Sequence, residues 1–372
     1  MFYNEFRDLK ISALGMGSLR LPTVPGNQQH IDRAKARKVI DCAFENGINY
    51  FDTAYTYHSG DSERAFGEIL SCYPRDRYYL ATKFYVAAGI SIEEMFEEQL
   101  KRCRTDYFDF YLFHGMQENY FDAYTDAEKN YLEYLLEQKR RGRIRFLGFS
   151  SHAAPETLER FLRWYDGFDM AMIQMNYLDW TMLDAKKQYD ILTEHHLPVW
   201  VMEPLKGGRL ATLNERAEQI LKKVSPENSV ASWSFRYLMG LPNVQTVLSG
   251  MASPEQVIDN AKVFAQRNVL SKEEQRALQE AVSVFKDELG VPCSACRYCC
   301  PVCPEKIDIP LLIKGYNEAV ISGETWRLAE LKEAKGADQC RQCGACSKRC
   351  PQKIDIPEVI KKFARLTEAG TL

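Results

Sequence analysis

No stretch of this chain is apolar and uninterrupted enough to cross a bilayer. Its first residues, MFYNEFRDLK, lack the basic segment and apolar run that head an exported protein. A concentrated basic face is missing as well. The 48 Lys and Arg and the 51 Asp and Glu are mixed along the chain, for a formal net charge of -3. Nucleic acids and anionic membrane surfaces both call for such a face, so neither is expected as a partner. A cytoplasmic protein is expected. Outside residues 293–350 even cysteine is scarce: nine of the twelve fall inside that stretch, and only Cys42, Cys72 and Cys103 lie elsewhere. Disulfide frameworks spread cysteines over a small secreted domain, whereas clusters at short fixed spacing suit metal ligation. The three scattered cysteines are expected to be small buried hydrophobes.

What is present is enough for one large domain and one small one: 372 residues, 45% apolar. Short β-rich runs alternate with amphipathic helical stretches up to about residue 285. Strands are expected near Ala13–Gly17, Ile48–Ala54, Tyr78–Phe84, Phe108–His114, Ile144–Ser150, Ala171–Tyr177, Val199–Leu205 and Val244–Ser249. Helices such as Ala34–Asn46, Ile92–Arg104 and Glu128–Arg141 lie between them, and Gly47 and Gly142 sit where a left-handed C-cap is needed. Eight such units point to an α/β fold, a closed (β/α)8 TIM barrel. An open doubly wound sheet carries G-x-G-x-x-G after its first strand. Here Gly15 and Gly17 stand alone with no helix following, and that alternative is set aside. A helix over Ser271–Leu289 closes this part, and Gly290-Val291-Pro292 marks the boundary. The domains are thus expected at 1–288 and 289–372.

The second domain carries an internal repeat. Cys-Pro-Glu-Lys-Ile-Asp-Ile-Pro at 303–310 returns with one change, Gln for Glu, at 350–357. Cys293, Cys296, Cys299 and Cys303, followed by Pro304, fit C-x2-C-x2-C-x3-C-P; so do Cys340, Cys343, Cys346 and Cys350, followed by Pro351. Three thiolates two residues apart wrap one face of an iron–sulfur cube, and the fourth reaches the other cluster. Two [4Fe–4S] clusters are therefore expected. The first would use Cys293, Cys296, Cys299 and Cys350, and the second Cys340, Cys343, Cys346 and Cys303. A pair of zinc sites would instead favour separated cysteine pairs. Cys300 is expected to ligate nothing. The segment resembles two-cluster ferredoxins. The stretch Ile309–Gly336, with Leu311, Leu312, Tyr316, Ala319 and Val320 on one face, likens it to the small, mainly helical ferredoxin-like modules of multi-centre oxidoreductases.

In the barrel, four polar residues fall at or just beyond strand ends, where such folds keep their chemistry. They are Asp52 and Tyr57 in Phe-Asp-Thr-Ala-Tyr-Thr-Tyr, Lys83 in Ala-Thr-Lys-Phe, and His114 in Leu-Phe-His-Gly. A carbonyl reduced by hydride needs a proton, and a free Tyr, with a pKa of about 10, gives one up reluctantly. A lysine cation stabilises the phenolate and a buried Asp holds the lysine. Together and in this order the four resemble the tetrad of the aldo-keto reductases. The resemblance implies Tyr57 as acid, Lys83 as its partner, Asp52 as the partner of Lys83, and His114 as a hydrogen-bond donor to the carbonyl oxygen. It also implies cofactor positions. Ser150 and Ser151 match a Ser-Asn pair, Gln174 the glutamine that holds the nicotinamide carboxamide, and Met202 a position often aromatic. Leu205 and Gly207 begin the loop over the pyrophosphate. Ser249, Gly250 and Gln256 occupy the final loop, and Asp259-Asn260 would face the adenosine. No Lys or Arg lies between Val244 and Ala261 to meet a 2′-phosphate. Of NADH and NADPH, NADH is therefore expected.

Barrel chemistry moves two electrons and each cluster one. The reading is an oxidoreductase that couples carbonyl or alcohol chemistry on a small molecule to electron transfer through the clusters. A flavin, in the barrel mouth or on an electron-transfer protein, would bridge the two. The rival readings are a plain NAD(P)H-dependent carbonyl reductase with structural clusters, and a redox-sensing barrel without turnover. Nothing in the sequence specifies an oligomeric state.

Overall fold

The computed structural model describes residues 1–287, 290–322 and 336–368. The chain forms two compact units. One comprises Met1–Pro204 and Ala231–Leu270, the other Leu205–Val230 and Ser271–Leu372.

The first unit is a closed barrel of eight parallel strands: β1 (Leu14–Gly17), β2 (Tyr50–Asp52), β3 (Tyr79–Phe84), β4 (Phe108–Met116), β5 (Ile144–Ser151), β6 (Met170–Gln174), β7 (Val199–Met202) and β8 (Val244–Gly250). Each pairs with the next, and β8 pairs with β1 through Val247 opposite Leu14. All eight expected strands are present, with β6 and β7 ending three residues earlier than their apolar runs. Parallel strands under a helical coat are buried on both faces, and β4, Phe-Asp-Phe-Tyr-Leu-Phe-His-Gly-Met, is buried throughout. The helices are capped by local chemistry. Ser91 and Glu94 form a capping box at Ile92–Cys103, and Asp32 accepts from Lys35 N at Arg33–Glu45. Gly47 and Gly142 leave their helices at φ +84° and +74°, the left-handed turn that a Cβ disfavours.

An antiparallel hairpin, Tyr3–Phe6 with Leu9–Ser12, precedes the barrel. Phe6, Leu9 and Ile11 pack among Tyr50, Phe110, Phe146, Met170 and Trp200, side chains from the early part of their strands. Phe6 meets the Phe146 and Trp200 rings edge-on, each 5.0 Å between centroids. The N-terminal end of the barrel is thereby filled with aromatic rings, and polar side chains collect at the opposite end.

In the second unit, helices Glu215–Val224 and Lys272–Asp287 bury Ala217 and Leu221 with Ala277, Leu278, Ala281 and Phe285, and Ser225 Oγ donates to Glu274 Oε1 at 2.9 Å. This pairing groups the segment after β7 with the cysteine-rich part, so the compact units do not divide at 288. Residues 288 and 289 themselves lie outside the described residues. Helix Ile309–Ser322 packs on Ile356–Glu368. Its core face runs Ile309, Leu312, Ile313 and Tyr316, facing Ile360 and Phe363, and Leu311 is half-buried outside that core. The remainder of the expected helical stretch, 323–335, and the side chains of Ala319 and Val320 fall outside the described residues. No described helix is long and apolar enough to cross a membrane.

Replacing Phe6 by Ala removes a ring buried against three others. The loss of stability should be about 3–5 kcal/mol, measured as a shift in the chemical-denaturation midpoint. A loss under about 1 kcal/mol would mean the hairpin does not close the barrel.

Candidate active site and cluster-binding segment

At the C-terminal end of β2, Asp52 is buried, and at the same level of β3 Lys83 is 1% exposed. Lys83 Nζ donates to Asp52 Oδ1 at 2.5 Å and to the Thr53 carbonyl at 2.6 Å. Burial pushes the Asp52 carboxyl above and the Lys83 ammonium below their ordinary values, and each charge pulls the other back. Behind Lys83 lies a second buried set that the sequence did not reveal. Glu63 accepts from Thr82 at 2.6 Å, Gln99 at 2.7 Å and Arg102 at 3.0 Å, while Gln99 also donates to the Lys83 carbonyl at 3.1 Å. These bonds hold the β3 backbone that carries the lysine.

Tyr57 starts a short turn whose next two residues, His58 and Ser59, both have φ of +51°. The turn brings its ring to 5.1 Å from Lys83 Nζ and, edge-on, 5.8 Å from the His114 ring. Tyr57 is half-buried and His114 buried. Burial, with the Lys83 charge, holds the His114 imidazole well below its usual range, so it is neutral and carries one N–H donor. Tyr124 is fully buried and donates to the His114 carbonyl at 2.6 Å. Tyr120 is buried, with its hydroxyl 2.8 Å from that of Tyr85, and Phe121 lies under the Arg160 guanidinium. The structure thus brings Asp52, Tyr57, Lys83 and His114 to one end of the barrel.

The other carried-over positions are placed less uniformly. Ser150 Oγ accepts from Gly115 N at 2.8 Å, and Ser151 Oγ accepts from Ala153 N at 3.0 Å and donates to the Met116 carbonyl. Both hydroxyls therefore already serve the backbone around His114. Gln174 Nε2 donates to Asp179 Oδ2 at 2.7 Å, as does Asn176 Nδ2. His152, absent from the sequence expectations, is half-buried and hydrogen-bonded to Gln174, with its pKa lowered to about 4 by desolvation. Met202 packs at the edge of the barrel core. Ser249 accepts from Asn260 Nδ2 at 3.1 Å, Gln256 Oε1 accepts from Ala252 N at 2.7 Å, and Asp259 is exposed. Against Gly250 lies the aliphatic stem of Arg20, where a Cβ would sit 2.5 Å from Cγ. The fold thus brings a cation to a loop that has none of its own. Leu205 and Gly207 belong to the second unit.

In that unit the repeat is structural as well as sequential. Ala295, Arg297 and Lys306 have positive φ, and so do Gln342, Gly344 and Lys353, each 47 residues on. The backbone bonds Lys306 N to Cys303 O and Ile309 N to Ile307 O recur as Lys353 N to Cys350 O and Ile356 N to Ile354 O. Cys293, Cys296, Cys299 and Cys350 line one cavity, together with Ile313 and Ile354. Cys340, Cys343, Cys346 and Cys303 line another, with Ile307 and Ile360. Among the described residues no three Cys, His, Asp or Glu converge tightly enough for a single ion. Four thiols spread around an apolar cavity suit a four-iron cube, in which each takes a different iron. Cys300 lines neither cavity and packs against the apolar core. Of the scattered cysteines, Cys103 is buried and Cys42 half-buried, but Cys72 is exposed, 3.7 Å from the Arg37 guanidinium, because its helix ends at the surface.

A barrel that pairs a buried lysine and aspartate beside a tyrosine and a neutral histidine, in one chain with a duplicated cysteine site, is an oxidoreductase with an iron–sulfur domain. Residues 13–283 match the aldo/keto reductase family, and the chain belongs to it. Residues 292–354 match a 4Fe-4S dicluster domain. An uncharacterized oxidoreductase of Bacillus subtilis, YqkF, is 27% identical over 73% of this chain and 93% of its own length. The NADH-specific methylglyoxal reductase of Escherichia coli is 24% identical over 68% and 90%. Among solved structures, aldo-keto reductase AKR11C1 of Bacillus halodurans in its holo form superposes with a TM-score of 0.63 at 27% identity, covering 76% of this chain and 96% of that one.

The histidines give a direct check. An unperturbed histidine titrates near pH 6.5, whereas His114 and His152 are held lower, His152 at about 4. Their side-chain 15N resonances should stay at neutral-imidazole positions from pH 8 to 5.5. The unfolded chain takes up those protons and the folded one refuses them, so stability should fall as pH drops below about 6.5. Titration of either resonance near 6.5 would overturn the placement.

Proposed function

We propose that this chain interconverts a small-molecule carbonyl and its alcohol at the barrel mouth, and couples that two-electron chemistry to single-electron transfer through two [4Fe–4S] clusters. What carries this reading is the presence in one chain of the Asp52–Lys83–Tyr57–His114 group and of two four-cysteine cavities.

A reduced nicotinamide held at the mouth by Gln174 and Met202 would supply the hydride. The neutral His114 donates its N–H to the substrate oxygen and orients it. The Tyr57 hydroxyl delivers the proton, and the Lys83 ammonium beside its ring stabilises the phenolate left behind. Asp52 holds Lys83 charged and in place inside the barrel. The nucleotide would rest on Gln174 and Met202 at the nicotinamide end, with Ser150 and Ser151 beneath. Ser249, Gly250, Gln256, Asp259 and Asn260 would take the adenosine end. Gln174 must then share its amide between the carboxamide and Asp179. NADH is the favoured form, because Val244–Ala261 has no cation of its own, with Arg20 reaching Gly250 from elsewhere in the chain, and the E. coli relative is named NADH-specific. Cluster one takes Cys293, Cys296, Cys299 and Cys350, and cluster two takes Cys340, Cys343, Cys346 and Cys303. Nicotinamide exchanges electron pairs, so coupling to clusters calls for a two-electron gate. A flavin on a partner electron-transfer protein has that chemistry.

The test is anaerobic. Protein carrying its clusters is mixed with NADH, and the broad cluster absorbance is followed with and without added flavin. Bleaching supports coupling. A band that persists while NADH is oxidised by a carbonyl favours a reductase with structural clusters. Tyr57→Phe should lower carbonyl reduction by at least about 10²-fold, the scale of a lost general acid, while NADH binding by fluorescence is kept. An unchanged rate would remove Tyr57 from the chemistry. kcat/KM should favour NADH over NADPH, and Arg20→Ala should weaken NADPH use more than NADH use. Equal effects on both would take Arg20 away from the 2′-phosphate.

A further inference from the structure

The segment after β7 enters the second unit at Leu205 and there meets two residues that line the first four-cysteine cavity, Ser294 and Gln352. Gly207, at φ +67°, lies so close to the cluster loop that a Cβ would sit 2.2 Å from the Ser294 carbonyl oxygen. Ser294 lines that cavity beside Cys293. Two cations flank Gly207. Lys206 is 1% exposed, and its Nζ donates to Gln352 Oε1 at 2.5 Å. Gln352 lines the same cavity, two residues beyond Cys350. Arg209 Nη1 donates to the Val291 carbonyl at 3.0 Å, two residues before Cys293. Other arginines at the cavities are paired with carboxylates. Arg297, at the first cavity, meets Asp308 at 2.9 Å; Arg341, at the second and 70% exposed, meets Glu305 at 2.5 Å.

A cluster and its four thiolates form an anion, and reduction adds one more negative charge. A cation buried at short range favours the reduced form more than the oxidised one, and low dielectric strengthens the effect. We propose that Lys206 and Arg209, carried on the segment that leaves barrel strand β7, are the charge partners of cluster one and raise its midpoint potential selectively, leaving cluster two's unaffected. This rests on the reading that the first cavity holds a [4Fe–4S] cluster. It also gives the barrel's own chain a hand in the electron acceptor, since Lys206 stands four residues after Met202.

The experiment is a reductive potentiometric titration of the anaerobically purified full chain, read by EPR and absorbance after iron and sulfide have been quantified. Cys296→Ser, which displaces or removes one step, marks cluster one. In Lys206→Met the reduced-to-oxidised ratio of cluster one at fixed poise should fall about tenfold, which is 59 mV for a one-electron couple. Arg209→Met should move it the same way, Lys206→Arg should restore it, and cluster two should not move. Fewer than two clusters in the unaltered protein would sink the reading of the cavities, and this inference with it. Two clusters with midpoints unchanged in both Met variants would overturn the inference alone, as would equal shifts of both steps. If Lys206→Met fails to assemble cluster one, Arg209→Met decides. Loss of the cluster in both overturns the proposal in favour of a purely structural role.

Discussion

An ammonium group shut inside a protein must meet opposite charge, and most of the barrel mouth is arranged around that need. Lys83 is almost without exposure and finds a carboxylate oxygen and a backbone carbonyl within 2.6 Å. Removing one partner of such a pair strands the other charge, at a cost of about 3–5 kcal/mol. The pair therefore ties β2 to β3, whose register sets Asp52 beside Ala81, two residues before Lys83. The Glu63, Gln99, Thr82 and Arg102 bonds stiffen β3 from behind, while Tyr57 and His114 stand over the lysine from neighbouring elements. A proton donor whose charge balance is built in before substrate arrives has less to reorganise during the reaction.

The second unit meets a different constraint. Its cavities are walled largely by thiols and isoleucines, with Ser294, Arg297 and Gln352 at the first and Glu305 and Arg341 at the second. The loops around them need positive φ at Ala295, Arg297 and Lys306 and again at Gln342 and Lys353, positions where a Cβ is strained. Metal ligation of the kind proposed would offset that strain, since binding free energy to a site absent from the unfolded chain is folding free energy. The pairing of helices Glu215–Val224 and Lys272–Asp287 ties the segment after β7 into this unit. Lys206 and Arg209 therefore stand among cluster residues, although the chain reaches them directly from a barrel strand.

Sequence alone determined the barrel, its eight strands and the cysteine repeat. These rest on local pattern: apolar runs of strand length, glycines at helix ends and thiols at fixed spacing. The four catalytic candidates were legible for a related reason, because each lies at or just beyond the end of a strand and strand ends of a parallel barrel share one rim. Groups joined by long-range contact left no such trace. Glu63, Gln99, Tyr124 and His152 carry no local motif that marks the partners they meet in the fold. Arg20 lies some 230 positions from the glycine it covers. The domain division at 288 followed composition, whereas packing drew 205–230 to the other side. Which charges become buried neighbours depends on where the chain returns in space, and only the tertiary structure decided that Lys206 faces Gln352 and that His114 is held neutral.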